Sequence, residues 1–566
     1  LSNNVTGTSN AGFGTNSLIS NVAGSNGTAI GTNAMYFANN TATPFTNTNV
    51  AIGFEALRGS VTASANTGYS NTVLGYQTML NNTSGYSNIA IGNKALYNNS
   101  TGYFNTAAGD SALFTNTTGI WNTATGRMAL VSNLDGIANT ATGMQALFYN
   151  TTGSWNTASG WNSLFNNTTG SRNTASGMNS LFANTTGGYN TASGEQALYS
   201  NVAGNNATAI GYNAMRNANN SATSFTNNNV AVGFEALRGS ATPATNTGNY
   251  NTALGYQTLL NNTSGSYNTA NGSNSLKNNT TGEYNVANGM NSLINNTTGS
   301  SNTASGSITL FNNSTGFGNT ASGYFALFSN TTGNYNVANG LQSLLNNTTG
   351  EFNTACGSTS LEFNTTGNYN TASGFSSLES NTTGVNNTAT GRNSLADNTT
   401  GGHNTAVGVQ ALFTNVAGSY ATAIGVNAMR NANNTITAFT NTNVAVGFEA
   451  LRGSSTASAN TGNDNTAIGY QTLMNNTTGN RNISFGYASL SSNLTGNDNA
   501  ALGYNALAVA TGSQNTALGS FSMESTTTGQ YNTAMGFQSM LSNTTGSYNT
   551  SIGRQSLATT TVGNFN

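Results

Sequence analysis

Charge is what this chain has least of. Lys and Arg together number 12 and Asp and Glu 14 in 566 residues, or 5% against about 25% in ordinary globular proteins. A formal net charge of −2 leaves no basic surface for nucleic acid or an anionic membrane, so neither partner is expected. One cysteine excludes an intrachain disulfide framework and leaves the redox compartment open. No apolar run approaches the roughly 18–20 residues of a transmembrane helix, so membrane insertion by this segment is not expected. A charged n-region followed by an apolar stretch is also missing, which argues against a signal peptide within the chain. The opening Leu1-Ser2-Asn3 has no methionine, as processing or a continuing chain would give. Disorder fits poorly, because disordered chains are usually charged and proline-rich; this one has two prolines and 68 glycines.

What is present is a period. Asn156-Thr157-Ala158-Ser159-Gly160-Trp161-Asn162-Ser163-Leu164-Phe165-Asn166-Asn167-Thr168-Thr169-Gly170-Ser171-Arg172 restarts at Asn173-Thr174-Ala175, 17 residues on. Equivalent starts run from Asn10 to Asn566 and bound 31 repeats. Numbering each repeat 1 to 17, position 5 is always glycine, from Gly14 to Gly553, and position 9 is always Leu or Met. Position 3 is alanine except at Gly12, Val73, Ser484 and Ser551. Fixed periods of this kind mark stacked repeat architectures. Positions 1–5 read as a short strand with 1, 3 and 5 on one face. Positions 7–10 read as a second strand that buries the leucine. Asn-Asn-Thr-Thr-Gly reads as the turn, since Asn and Gly tolerate positive φ and Asn and Thr side chains bond local backbone. Recurrent glycine and the lack of a 3.6-residue apolar period exclude helix. The expected fold is therefore all-β, a parallel β-solenoid of about 31 coils over residues 1–566 as one continuous domain. Its core would be built on residues such as Gly160, Gly177, Gly194, Leu164, Leu181 and Leu198. At about 4.8 Å per coil the stack would run roughly 150 Å, with Asn, Thr and aromatic columns as stabilisers. Burial per coil is small, so side-by-side association, most simply a trimer, is expected.

Three pairs of coils have 22 residues instead of 17: 27–70, 207–250, and 421–442 with 443–464. They begin 180 and 214 residues apart, whole numbers of coils, as block duplication would give. Their Glu55–Arg58, Glu235–Arg238 and Glu449–Arg452 pairs are read either as part of protruding binding loops or as ion pairs that fix a longer loop. Position 4 varies by zone. It is apolar around the long coils (Ile52, Leu74, Ile210, Val232, Ile424, Val446) and near the end (Leu502, Leu518, Met535, Ile552), and polar through most of 122–193 and 271–390. The polar copies are expected to be ladder-bonded inside; the other reading is a face that meets a partner in some zones only.

Catalysis needs unlike groups brought together, and the sequence offers almost none, so no catalytic residue, metal or cofactor is expected. His403 stands at position 17, where other coils carry Trp155, Tyr189, Phe352 or Tyr369, and reads as a substitute in a surface stack. Cys356 reads as a buried, inert thiol. Asp110, Glu195, Glu283, Glu362 and Glu379 read as single, scattered acids. The aromatics of position 17 could stack for stability or bind polysaccharide. Asn116, Asn150, Asn167 and Asn184 fit N-glycosylation tripeptides on surface turns. The Thr-rich coils also admit an ice-binding solenoid, but the Thr168-Thr169 pairs lie in turns rather than on a flat array.

Coils such as Asn251-Thr252-Ala253-Leu254-Gly255-Tyr256-Gln257-Thr258-Leu259 and Ala207-Thr208-Ala209-Ile210-Gly211-Tyr212-Asn213-Ala214 resemble the head repeats of trimeric autotransporter adhesins and similar tail-fibre repeats. The resemblance implies a left-handed trimeric β-roll around an x-Ala-Ile-Gly strand. The 17-residue coil departs from it by an added Asn-Thr-Thr-Gly turn. The function expected is a non-enzymatic structural fibre of a cell surface, extracellular filament or virion, serving adhesion or projection. Its partners would be copies of itself, and surface glycans or a host receptor. The chain starts at position 9 of a coil and stops at position 1 without a polar cap, as either a continuing flanking sequence or end-to-end stacking into a filament would give. The alternatives are an ice-binding solenoid and a polysaccharide-binding one.

Overall fold

Each coil opens with three extended residues, and the next coil lays the same three residues beside them. In the computed structural model, which describes residues 1–566, Thr157, Ala158 and Ser159 pair in parallel with Thr174, Ala175 and Ser176, like residue against like. Thirty-one such strands form the main sheet set. The chain divides into two compact units, Leu1–Asn285 and Val286–Asn566. The first carries strands from Ala11–Phe13 to Thr269–Asn271, the second from Val286–Asn288 to Thr550–Ile552. Both are parallel β-solenoids, as the period predicts.

The strand obeys its two-residue alternation. Asn156 and Ala158 are buried, while Thr157 and Ser159 are exposed. Glycine is needed at position 5 for two reasons. Its φ is +129° at Gly160, a region that side chains disfavour. A Cβ there would also lie 2.7 Å from the Gly177 carbonyl oxygen of the next coil. The backbone of one coil rests directly on the next.

The second strand does not form. Trp161 to Asn166 is a run of turns, and Asn162 and Leu164 both adopt left-handed backbone, with φ of 55° and 51°. The pattern recurs at positions 7 and 9 along both units, with Leu181 at 49° and Leu198 at 52°. The segment still binds its neighbours through the main chain. Asn162 N–H donates to Met144 O at 3.2 Å in the coil before, and Leu164 N–H to Ser180 O at 2.9 Å in the coil after. Leucine in left-handed backbone costs about 1–2 kcal/mol; coil-to-coil bonds and full burial of the side chain offset it. The positive φ expected of Asn-Asn-Thr-Thr-Gly is absent there and falls at positions 5, 7, 9 and 17 instead.

The interior is narrow and half polar. Ala158, Ser163 and Leu164 are fully buried, and so are Asn156 and Asn167. Asn173 N–H and Nδ2 both donate to Asn156 Oδ1, at 3.0 and 3.2 Å, and Nδ2 also reaches Gly187 O at 2.9 Å. The long coils keep the strand in register, Ala209 on Ala231 on Ala253. They add a second pairing, Gly204–Asn205 with Phe225–Thr226, and a short 3-10 turn, Pro243–Thr245. The coil that begins at Asn499 has 16 residues: Asn515 bonds Asn499 Oδ1 at 2.9 Å across a separation of 16, so the turn absorbs a one-residue deletion without loss of register.

Candidate functional site

The strand's outward residues, positions 2 and 4, make the one surface shared by every coil. No Asp, Glu, Lys, Arg or proline occupies either position in any of the 31 strands. Position 4 points outward in the apolar and polar zones alike: Leu74, Ile91 and Leu502 are 46, 42 and 49% exposed, and Ser159, Ser176, Asn271, Asn288 and Ser322 are exposed as well. The polar copies are therefore not ladder-bonded inside, because the alternation that buries Ala158 turns its neighbours out. Over residues 122–206 this face carries Thr123, Thr125, Thr140, Thr142, Thr157 and Ser159, and their hydroxyls have no partner within the chain. The turn threonines are the opposite case: Thr168 Oγ1 donates to Thr185 O at 3.1 Å. Cys356 sits on the same outward face, half-buried between Asn339 and Ser373. The inward, inert position expected of it is not where the strand puts it.

Beside the face run columns of rings. At position 17, Tyr250, Tyr267 and Tyr284 stack with centroids 5.0 Å apart and planes within 3°. Tyr335, Phe352 and Tyr369 repeat this in the second unit, and His403 stacks on Tyr420 at 5.0 Å. Further columns occupy position 6, as Tyr212, Phe234 and Tyr256, and position 10, as Phe165, Phe182 and Tyr199. Position 17 accepts charge because guanidinium and carboxylate groups are also planar. The Arg172 guanidinium lies 5.2 Å from the Trp155 ring centroid and 5.1 Å from that of Tyr189, a cation–π sandwich. Arg481 bonds both Asp498 oxygens, at 2.7 and 3.0 Å, and that pair holds the Asp498 carboxyl below its ordinary range. Within a column the ring faces cover one another, whereas end rings such as Tyr284 and Tyr369, each 57% exposed, have no ring on their second face.

The four tripeptide asparagines are buried. Asn167 Nδ2 donates to Asn150 Oδ1 at 2.8 Å and to Gly170 O at 2.9 Å, and Asn116, Asn150 and Asn184 do the same in their coils. All four are 0% exposed. A glycan replaces one of those amide protons and needs room for a sugar; the folded coil has neither, which overturns their reading as surface acceptors. A signal for this was present: in the 17-residue coils position 12 is asparagine except at Thr526 and Thr560, whereas position 11 drifts through Tyr149, Asn166, Ala183 and Ser200.

The Glu–Arg pairs do form, at 3.3, 2.8 and 3.1 Å for Arg58–Glu55, Arg238–Glu235 and Arg452–Glu449, but they are not on the added loops. Each glutamate is at position 7, and its second oxygen accepts from the glutamine of the next coil, Gln77, Gln257 or Gln471, at 2.9, 2.8 and 2.7 Å. They clip coil to coil. The protruding tips are Asn40–Pro44 with Ser60–Thr62 and their counterparts, where Val61 and Ile436 are 78 and 84% exposed. The acids are also less scattered than expected. Glu362 and Glu379 share position 10 of consecutive coils, and Asp397 follows one coil on. Burial, and then the Glu379 carboxylate, push the Glu362 and Asp397 carboxyls above the ordinary range. No helix is long and apolar enough to cross a membrane. Neither a protein-family model nor a curated protein matches the chain.

Proposed function

We propose that this chain is a non-enzymatic structural fibre segment of a cell surface, extracellular filament or virion, and that copies associate through the outward sheet face. The observation that supports this most is the uncharged double column of positions 2 and 4, repeated in register on every strand. Soluble proteins rarely expose contiguous apolar patches without a use for them, and here Val446, Ile468, Phe485, Leu502, Leu518, Met535 and Ile552 follow one another in successive coils. A partner without the same strand spacing meets this column at one point; a second copy meets it at every coil. Low net charge removes electrostatic opposition. Adhesion to glycans or a receptor through the module tips is the accompanying role.

Sedimentation and electron microscopy of the full chain test the reading. Wild type is expected as assemblies of several chains; Leu502→Lys with Leu518→Lys, both at exposed positions, is expected to shift the population to monomers. Monomeric wild type, or an unmoved assembly in the variant, rejects association through this face.

A second reading rests on one specific observation: the free hydroxyls of Thr123 to Ser159 lie in register on adjacent strands, which the turn threonines could not supply. This favours ice binding over residues 122–206. Thermal hysteresis or shaped ice crystals in dilute solution are expected under this reading, and their loss in Thr140→Lys; ordinary ice growth in wild type eliminates it.

A further inference from the structure

Each pair of long coils interrupts an asparagine ladder. In regular coils both amide protons of the position-12 asparagine are used: Asn99 Nδ2 donates to Asn82 Oδ1 at 2.8 Å and to Gly102 O at 2.9 Å. In the first long coil of each pair alanine stands at that position, Ala38, Ala218 or Ala432. On one side of the break the Oδ1 atoms of Asn21, Asn201 and Asn415 are buried without a donor. On the other, Asn82, Asn262 and Asn476 resume the ladder with half their donors. Each bonds only the glycine carbonyl three residues on, at 3.0, 2.9 and 2.9 Å, and its second amide proton has no acceptor.

Those three asparagines are buried, 3, 3 and 4% exposed, and each lines a cavity. The cavity measures about 20 Å³ in the first module and about 30 Å³ in the second and third. A second buried amide lines it: Asn47, Asn227 or Asn441. Its Oδ1 accepts from Asn49, Asn229 or Asn443 Nδ2 at 2.7, 2.7 and 2.8 Å. Its own Nδ2 finds no oxygen; that of Asn47 reaches only the Met35 sulfur, at 4.0 Å. Three copies of one arrangement thus converge donors without acceptors on a hole of one molecule's size.

We infer that each cavity holds a single buried water that accepts from both Nδ2 groups and so supplies the acceptor that the resumed ladder lacks. A water needs roughly 10–15 Å³ of such space and two to four polar partners, and both conditions are met. The Oδ1 of Asn39, Asn219 or Asn433, also in the lining, spends one lone pair on a backbone N–H two residues on, at 2.9, 3.0 and 3.1 Å. Its other lone pair can take a water proton. A halide is disfavoured, because no Lys or Arg lines any of the three cavities and an unpaired buried charge is costly.

The inference stands apart from the proposal of self-association and survives its failure. Its test is a map of the full chain that resolves ordered water, for wild type and for Asn227→Leu, from bromide-containing buffer. Wild type is expected to show one peak per module about 2.6–3.2 Å from the paired Nδ2 atoms, without anomalous signal. Asn227→Leu is expected to lose the peak in the second module and keep the other two. Empty or collapsed cavities in wild type, an anomalous peak, or a variant whose second-module peak is unmoved each overturn the inference.

Discussion

Asn166 and Asn167 are adjacent, alike in chemistry and unlike in fate. Asn167 is buried with two bonds from its amide, whereas Asn166 is partly exposed. Asn167→Ala is expected to destabilise its coil by about 1–3 kcal/mol, because Asn150 Oδ1 loses its donor and one Asn184 amide proton its acceptor, both buried. Asn166→Ala is expected to change it by under about 0.5 kcal/mol. Amide exchange across residues 150–187 reads the contrast, and equal protection in the two variants would show that the ladder does not hold the coil. Gly160→Ala meets both a disfavoured φ and the Gly177 carbonyl, so exchange in the two coils it joins should accelerate markedly. At this scale the sequence is legible where chemistry leaves one option. The glycine at position 5 and the alanine at position 3 are there for close approach, and they do approach closely. Leu164 is different: leucine carries no mark of a left-handed backbone, and its burial is equally consistent with a strand. What sets its conformation is the coil above and below, which no single repeat contains.

At the scale of the coil, register outlives length. Coils of 16, 17 and 22 residues all return the strand to its column, because each turn is free to bulge while the strand is not. Deletion of residues 156–172, one whole coil, should therefore leave the circular dichroism and the cooperativity of unfolding unchanged. Deletion of 156–163 should abolish both, since it removes a strand and leaves its leucine. The period made this architecture readable; the fate of the Asn-Asn-Thr-Thr-Gly turn was not, because its composition matches any exposed loop and only the stack buries its second asparagine. The face at position 4 was misread for a related reason, since Ser and Thr suit an interior ladder and an outward surface equally well. The acids of consecutive coils give an element-level pH response. Glu362 and Asp397 have carboxyls raised above the ordinary range by burial and by Glu379, so the folded state holds protons that the unfolded state releases. That contribution is complete below the unfolded carboxylate pKa and is lost as pH rises through the higher folded values. Protection over residues 353–404, corrected for the intrinsic exchange rate at each pH, should be greater near pH 3 than at pH 7, and Glu379→Gln should shrink the difference. A pH-independent profile in wild type would contradict the assignment.

Across the whole molecule, much of what is hidden from water is amide and hydroxyl rather than hydrocarbon. The asparagine columns of positions 1 and 12 are as deeply buried as the leucines, and they are paired to one another and to main-chain carbonyls. Unfolding such a chain wets polar surface, which lowers heat capacity, together with modest apolar surface, which raises it. Calorimetry should give a heat-capacity increment per residue below the usual 12–15 cal/mol/K; an ordinary or larger value would mean that hydrocarbon dominates after all. A small increment flattens the curve of free energy against temperature. The amide ladders would then preserve cohesion toward freezing, where proteins that rely on oily interiors begin to lose it.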